Sequence, residues 1–244
     1  MNWFLDGGAD YARFRPDYPA ELARWLAGLC PSRASALDVG CGSGQLTGLL
    51  AEHFSHVMGM DPSADQLVHA RQAANITYLS AAAESLPLPD AGLDLLTVAQ
   101  AAHWFDLPRF YGEARRVLKP GGILALITYA GMRLEAGPDQ RLQEFYGSEI
   151  GPYWPPERAL VENGYRDLAF PFAEIPAPAL AMRKQWDLAQ VLGYCGTWSA
   201  TKRALADGQQ AMLARFGREM GQLWGDAARP LPVAWPLSLR VGRL

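Results

Sequence analysis

The sequence is short of cysteine, of clustered positive charge and of long apolar runs, and each shortage removes a class of protein. Only three cysteines, Cys30, Cys41 and Cys195, occur in 244 residues, with no CxxC pair. So sparse and odd a set argues against a disulfide framework and fits a reducing cytoplasm. The four histidines, His53, His56, His69 and His103, show no HExxH or other ligand spacing, so no metal site is expected. The longest apolar run, "ILALITYA", falls far short of the roughly 20 residues that span a bilayer. No signal-peptide pattern follows Met1. Dense Lys/Arg runs are missing too. Arg115, Arg116 and Lys119 come nearest, and they read as the solvated end of a helix. With a formal net charge of −3, the chain is a poor match for nucleic acid or a membrane surface. The expected partner is a small molecule, bound by a monomer or homodimer.

What the sequence does hold is a regular alternation. Half of its residues are hydrophobic and 19% are charged, a soluble globular balance. "YPAELARWLAGLC" spaces Leu22, Trp25, Leu26 and Leu29 as a helix. Strand-like "SALDVG", "HVMGMD", "ITYLSA", "GLDLLTVAQ" and "ILALITYA" then alternate with helical segments. Ser63 is a candidate N-cap, Asp106 and Pro108 open a further helix, and "KPGG" reads as a turn. Such alternation predicts βαβ units and a parallel sheet with helices on both faces. Ligands then bind beyond the carboxyl ends of the strands. "AFPFAEI" is a sixth strand, residues from about 179 to 225 read as aromatic-rich helices, and "PLSLRVGR" is a closing strand. The expected organisation is an N-terminal segment and helix over 1–34, a ligand-binding core over 35–130, and a C-terminal part of the same domain over 131–244. The helical segment is an insertion before the last strand.

The loop "DVGCGSG", residues 38–44, carries the chemistry. A glycine-rich turn between strand and helix lets the backbone approach a ligand closely. It serves NAD(P) and S-adenosylmethionine alike, and Asp61 at the end of the second strand suits the ribose hydroxyls of either. Asp38 separates them. A dinucleotide sets its pyrophosphate over the loop, where a carboxylate would oppose it. S-adenosylmethionine has no phosphate and carries ammonium and sulfonium cations, which a nearby acid favours. The third glycine, Gly44, also comes one residue early for G-x-G-x-x-G.

"LDVGCGSG", "GMDPS", "AAESLPLPDAGLDLLTVAQAAHWF" and "EARRVLKPGG" resemble the successive motifs of class I S-adenosylmethionine-dependent methyltransferases. "YARFRPDYP", "GYCGTWSAT" and "WPLSLRVGR" are similar to the branch related to trans-aconitate methyltransferases. The resemblance implies a Rossmann-like three-layer α/β sandwich with a seven-stranded sheet, mostly parallel, whose last strand is antiparallel. It implies that Asp38 lies near the methionine amino group and that Gly40 and Gly42 bring backbone to the methionyl and ribose parts. Asp61 then binds the ribose, and Pro62 flanks the adenine. Ala82 stands where the family often has an acid, which leaves the adenine contact to the Ala83 N–H. Glu84 reads equally as a loop carboxylate. Gln100 and Ala101 fall close to the methionine and sulfonium, and His103 and Trp104 fall where donor and acceptor meet.

His103 could take a proton from an acceptor, hydrogen-bond a carboxylate substrate, or fill space. Trp104 could wall the sulfonium pocket or pack in the core. The N-terminal segment resembles the family's cofactor lid, which implies that Tyr11 covers the cofactor and Arg15 pairs with a carboxylate, and that the helical insertion over about 179–225 builds the acceptor pocket. Trp154 and Trp198, with Tyr153 and Tyr194, are candidates to line the acceptor pocket. The expected function is methyl transfer to a small molecule, with a carboxylic acid as one acceptor class. Two alternatives stand beside it: a protein that binds the donor without turnover, and a nicotinamide-dependent oxidoreductase.

Overall fold

The computed structural model describes residues 16–244. They form two compact units. A sheet unit comprises Tyr18–Ala130, Ala159–Ala181 and Pro236–Leu244; a helical unit comprises Gly131–Arg158, Met182–Trp235 and the described residues before Tyr18.

The sheet unit begins with helix α1 (Ala20–Leu29), which buries Leu22, Ala23, Leu26 and Ala27 and has no side-chain N-cap bond. Burying each leucine contributes roughly 1.5–3 kcal/mol. Strand β1 (Ser35–Val39), helix α2 (Gln45–Leu50), strand β2 (His56–Met60), helix α3 (Ala64–Val68) and strand β3 (Ile76–Leu79) follow. Ser63 caps α3, its hydroxyl accepting from the Gln66 N–H. Strand β4 (Leu93–Ala99) leads through a 3-10 turn (Ala102–Trp104) into helix α4 (Leu107–Val117), capped by Asp106. Strand β5 spans Leu118–Tyr129. A short helix α6 (Arg158–Glu162) and strand β6 (Ala173–Ile175) complete this part, after the helix α5 described below.

The strand order is β3-β2-β1-β4-β5-β8-β6, where β8 is Leu231–Arg243. β1 pairs in parallel with both β2 and β4. The topological switch point therefore lies at β1, and a crevice opens beyond its carboxyl end. β8 is antiparallel to β5 and β6. Residues 93–98 of β4 are all buried, as befits a central strand covered on both faces. At its start, the buried Asp94 accepts from the Ser32 hydroxyl (2.7 Å), the Ser35 N–H (2.9 Å) and the Lys119 ammonium (2.9 Å). Lys119 is thus paired, not merely solvated. Arg116 likewise holds Glu113 and Asp90 and donates to the carbonyls of Leu86 and Leu88.

The sheet has eight strands, one more than the seven expected. The extra strand, β7 (Ala181–Trp186), pairs with β8 and lies where the sequence read as helix. Its residues bury Met182 and Trp186 with exposed Arg183 and Gln185 between, a two-residue alternation. The helical run starts only at Asp187, which forms a capping box with Gln190. β8 is also longer than "PLSLRVGR". Pro232 and Pro236 fall on exposed positions while Val233 and Trp235 point inward, so the prolines do not interrupt the buried face. "KPGG" does not end the sheet. It lies within β5, where the pairing with β4 shifts register between Leu93 and Leu95.

The helical unit contains α5 (Ala136–Glu144) with a π turn at Phe145–Glu149, α7 (Leu188–Thr197), α8 (Ser199–Ala206) and α9 (Gln210–Trp224). Its core is aromatic: Phe145 and Phe216 stack at 3.8 Å. Beside them, the largely buried Arg141 is ion-paired to Glu149 (2.6 Å) and Glu219 (2.7 Å).

Candidate active site

The loop after β1 is built by three glycines in the left-handed region, Gly40 at φ +68°, Gly42 at +53° and Gly44 at +72°. A Cβ on Gly40 would also stand 2.5 Å from the Cβ of Ala101, so the loops after β1 and β4 approach as closely as glycine allows. The N–H groups of Gly40 and Cys41 both donate to the Met60 carbonyl, at 2.7 and 3.0 Å, which ties the loop to β2.

Asp61 follows β2 directly. Its carboxylate accepts from the Gly42 N–H and the Ser63 N–H, each at 2.9 Å, and stays partly exposed. Each oxygen keeps acceptor capacity beyond its one backbone bond. Asp38 is different. It is 1% exposed, and the hydroxyls of Thr47 (2.7 Å) and Thr97 (2.8 Å) donate to its two oxygens. Burial pushes its carboxyl up to about 6, against the opposing pull of the threonine hydrogen bonds.

Pro62 is exposed beside Asp61, and Ala83 is buried in the loop after β3. Glu84 accepts from the Asp106 N–H at 2.9 Å, which is the loop-carboxylate reading. Gln100 directly follows β4 at φ +58°, a strained position for a residue with a Cβ. Its amide donates to the Tyr129 carbonyl (2.8 Å) and accepts from Thr128 (2.7 Å), so this side chain is committed to β5. Trp104 is 62% exposed, which excludes core packing.

His103 meets Tyr165 with Nδ1 2.7 Å from the phenol oxygen. Sequence reasoning missed Tyr165, which lies 62 residues away. The available signal was "NGY", a tight turn before an aromatic. It also missed Thr47 and Thr97, whose hydroxyls hold Asp38.

In the helical unit, Trp198 is largely buried against Tyr146 (5.3 Å), Tyr194 (5.6 Å) and Trp154 (5.9 Å). Trp154 is half-buried, with the Arg158 guanidinium 4.7 Å from its ring. The Tyr153 hydroxyl donates to Asp207 at 2.9 Å. Tyr11 and Arg15 lie outside the described residues.

The expected donor residues among the described ones therefore all lie at or just after the carboxyl ends of strands β1 to β4 within the sheet unit. These loops, residues 38–47, 61–66, 80–88 and 98–106, contain acids but no lysine or arginine. A phosphate-free, cationic nucleoside fits the donor set. Fold and loops together define a Rossmann-like nucleoside-cofactor enzyme of the methyl-transferring class.

Comparison with known proteins agrees. Residues 37–126 match the methyltransferase domain family. A Dictyostelium discoideum protein with a methyltransferase name is 35% identical over 207 residues, covering 83% of this chain and 79% of that one. A solved structure from Anaeromyxobacter dehalogenans, described as a candidate type II methyltransferase, superposes with a TM-score of 0.90 at 43% identity. It covers 94% of this chain and 97% of that one. A malonyl-[acyl-carrier protein] O-methyltransferase of Pectobacterium atrosepticum is 38% identical over 119 residues, 46% of this chain and 47% of its own length. The chain belongs to the class I methyltransferases, enzymes whose methyl donor is S-adenosylmethionine.

Proposed function

We propose that this enzyme methylates a small-molecule acceptor, and that the acceptor is a carboxylic acid. The observation that carries the reading is His103, set in the turn directly after β4 with one ring nitrogen already engaged by Tyr165. That turn lies beyond the carboxyl end of β4, on the side where open α/β sheets bind their ligands. The O-methyltransferase relative, similar over about half its length, supports an oxygen acceptor. The net charge of −3 supports a small partner over a polyanion. No helix among the described residues is long and apolar enough to cross a membrane. The three free cysteines support a cytoplasmic setting.

S-adenosylmethionine supplies a methyl group already activated on a sulfonium, whose S–C electrons remain on sulfur when the methyl leaves. The chain's part is to bind, orient and exclude water. In this reading Asp61 holds the ribose hydroxyls, and the backbone at Gly40 and Gly42 lies against the ribose and methionyl parts. Asp38 acts through its charge on the donor ammonium, because its carboxylate is buried and held by two threonine hydroxyls. Pro62 and Ala83 flank the adenine, and Gln100 contributes backbone, since its side-chain amide is tied to β5. Trp104 offers an aromatic face to the sulfonium. Tyr11, Arg15, Trp154 and Trp198 are assigned to covering the donor and receiving the acceptor. The test is transfer of labelled methyl to a panel of di- and tricarboxylic acids. Label appearing as base-labile ester is the expected outcome. Transfer to none of them, with the donor demonstrably bound, removes the carboxylic acid.

A further inference from the structure

We propose that Tyr78 is a positioning residue for the donor site: its ring lies across Gly59 and holds the glycine loop at Gly44, and both positions are glycine because the ring fills the room of a side chain. Strand pairing sets this up. Thr97 of β4, Asp38 of β1, Gly59 of β2 and Tyr78 of β3 are register partners in turn, so they form one row across the sheet. Side chains alternate between faces along each strand, so partners in such a row share a face. Gly59 leaves a gap in the row. A glycine inside a strand weakens it and marks a close approach of other atoms. Here those atoms belong to Tyr78. A Cβ on Gly59 would stand 2.4 Å from Cε1 and 2.6 Å from Cδ1 of its ring, and 3.1 Å from the Cys41 Sγ. The ring reaches beyond β2. A Cβ on Gly44 would stand 2.2 Å from the phenol oxygen and 3.1 Å from Cζ.

The three loop glycines thus have separate tasks. Gly40 admits the loop after β4, at Ala101. A Cβ on Gly42 would meet, among the described residues, only the Gln66 Oε1 at 3.8 Å, an ordinary contact, so this glycine faces open space. Gly44 is turned toward the protein. Its missing side chain makes room for Tyr78, not for a ligand, which accounts for a third glycine that comes early for a dinucleotide loop.

The phenol is fastened at its far end. It donates to the Arg71 carbonyl at 2.6 Å, and the Arg71 N–H donates to the Ser43 carbonyl at 3.1 Å. A chain of contacts therefore runs from β3 through the segment after α3 and back to the loop beside Gly44. Burial pushes the phenol up to about 12, so it stays a donor at neutral pH. A loop fixed on its protein side keeps its ligand side in register with the ligand. That this loop receives the donor rests on the reading above; the contacts of the ring with Gly44 and Gly59 do not.

Urea denaturation of full-length wild type, Gly59→Ala, Tyr78→Ala and the double variant tests the contact without any ligand. Gly59→Ala is expected to lower the midpoint in wild type, and to leave it unchanged or raise it once Tyr78→Ala has removed the ring. Folding of Gly59→Ala only in company with Tyr78→Ala supports the contact equally. The same effect in both backgrounds, or failure to fold in both, overturns it. Calorimetry with S-adenosylmethionine then tests the positioning. Tyr78→Phe keeps the ring and should bind within about threefold of wild type, whereas folded Tyr78→Ala should bind on the order of tenfold more weakly. Tyr78→Ala binding as tightly as wild type, or Tyr78→Phe as weakly as Tyr78→Ala, overturns the role. Wild type that binds no donor overturns the reading of the site, and the positioning role with it, but not the contact measured by denaturation.

Discussion

Asp38 and Asp61 stand at the carboxyl ends of neighbouring strands, yet their surroundings give them opposite parts. Asp61 is partly exposed and anchors the glycine loop through the Gly42 N–H, with oxygen capacity left for hydroxyls. Asp61→Ala should weaken donor binding by roughly 10- to 100-fold, the worth of a charge-assisted hydrogen bond, with the fold retained. Calorimetry checks this, and unchanged affinity would remove the ribose role. Asp38 is buried, and its carboxyl is raised to about 6 from an ordinary 3.8. The folded state thus holds its proton more tightly than the unfolded chain. Stability from this residue is full below the unfolded value, falls as pH rises from about 4 to 6, and stays reduced above. Denaturation at pH 5 and 7.5 should show wild type losing about 1.4 kcal/mol, the part of the effect that lies between pH 5 and the folded value. Asp38→Asn should remove that difference. Both aspartates were legible as acids of the loop. That Asp38 points at two threonines was not, because β1 contacts α2 and β4 through the fold, not the sequence.

Elements were legible where one periodicity ran unbroken. The alternation of buried strands and amphipathic helices up to Tyr129 gave the parallel sheet, and Ser63 and Asp106 marked helix starts that the structure caps as expected. β7 was hidden because its alternation spans only six residues and runs straight into the capped start of α7. Tyr165 was hidden because a contact across 62 residues leaves no local trace. The glycine loop is the element most sensitive to a single methyl. Gly40→Ala forces a left-handed alanine and a Cβ 2.5 Å from Ala101. Positive φ costs about 1–2 kcal/mol and overpacking about 1–3 kcal/mol. Urea denaturation should therefore show a loss of roughly 2–5 kcal/mol, together with weaker donor binding. A loss under about 1 kcal/mol would mean the loops after β1 and β4 are not in close approach. Asp187→Ala, by contrast, should cost only about 1 kcal/mol, as the loss of one helix cap does.

At the scale of the whole molecule, ligand binding and stability are linked. A ligand that binds only the folded chain stabilises it by RT ln(1 + L/Kd), with L the free ligand concentration, about 2.7 kcal/mol at one hundred times its Kd. For S-adenosylmethionine, or its demethylated product, the midpoint of thermal unfolding should rise by roughly 5–11 °C under those conditions for a chain of this size. The rise should grow with the logarithm of ligand concentration. NADH should leave the midpoint where it is, because the carboxylates of Asp38 and Asp61 at the glycine loop oppose a pyrophosphate there. Asp61→Ala should shift the donor response to higher concentration without abolishing it, since the glycine backbone remains. A midpoint that rises with NADH and ignores S-adenosylmethionine would break the link between the acidic loops and a cationic donor. If the midpoint instead rises with the donor alone, and rises again when a carboxylic acid is added to protein saturated with demethylated product, acceptor and donor sites coexist on the folded chain.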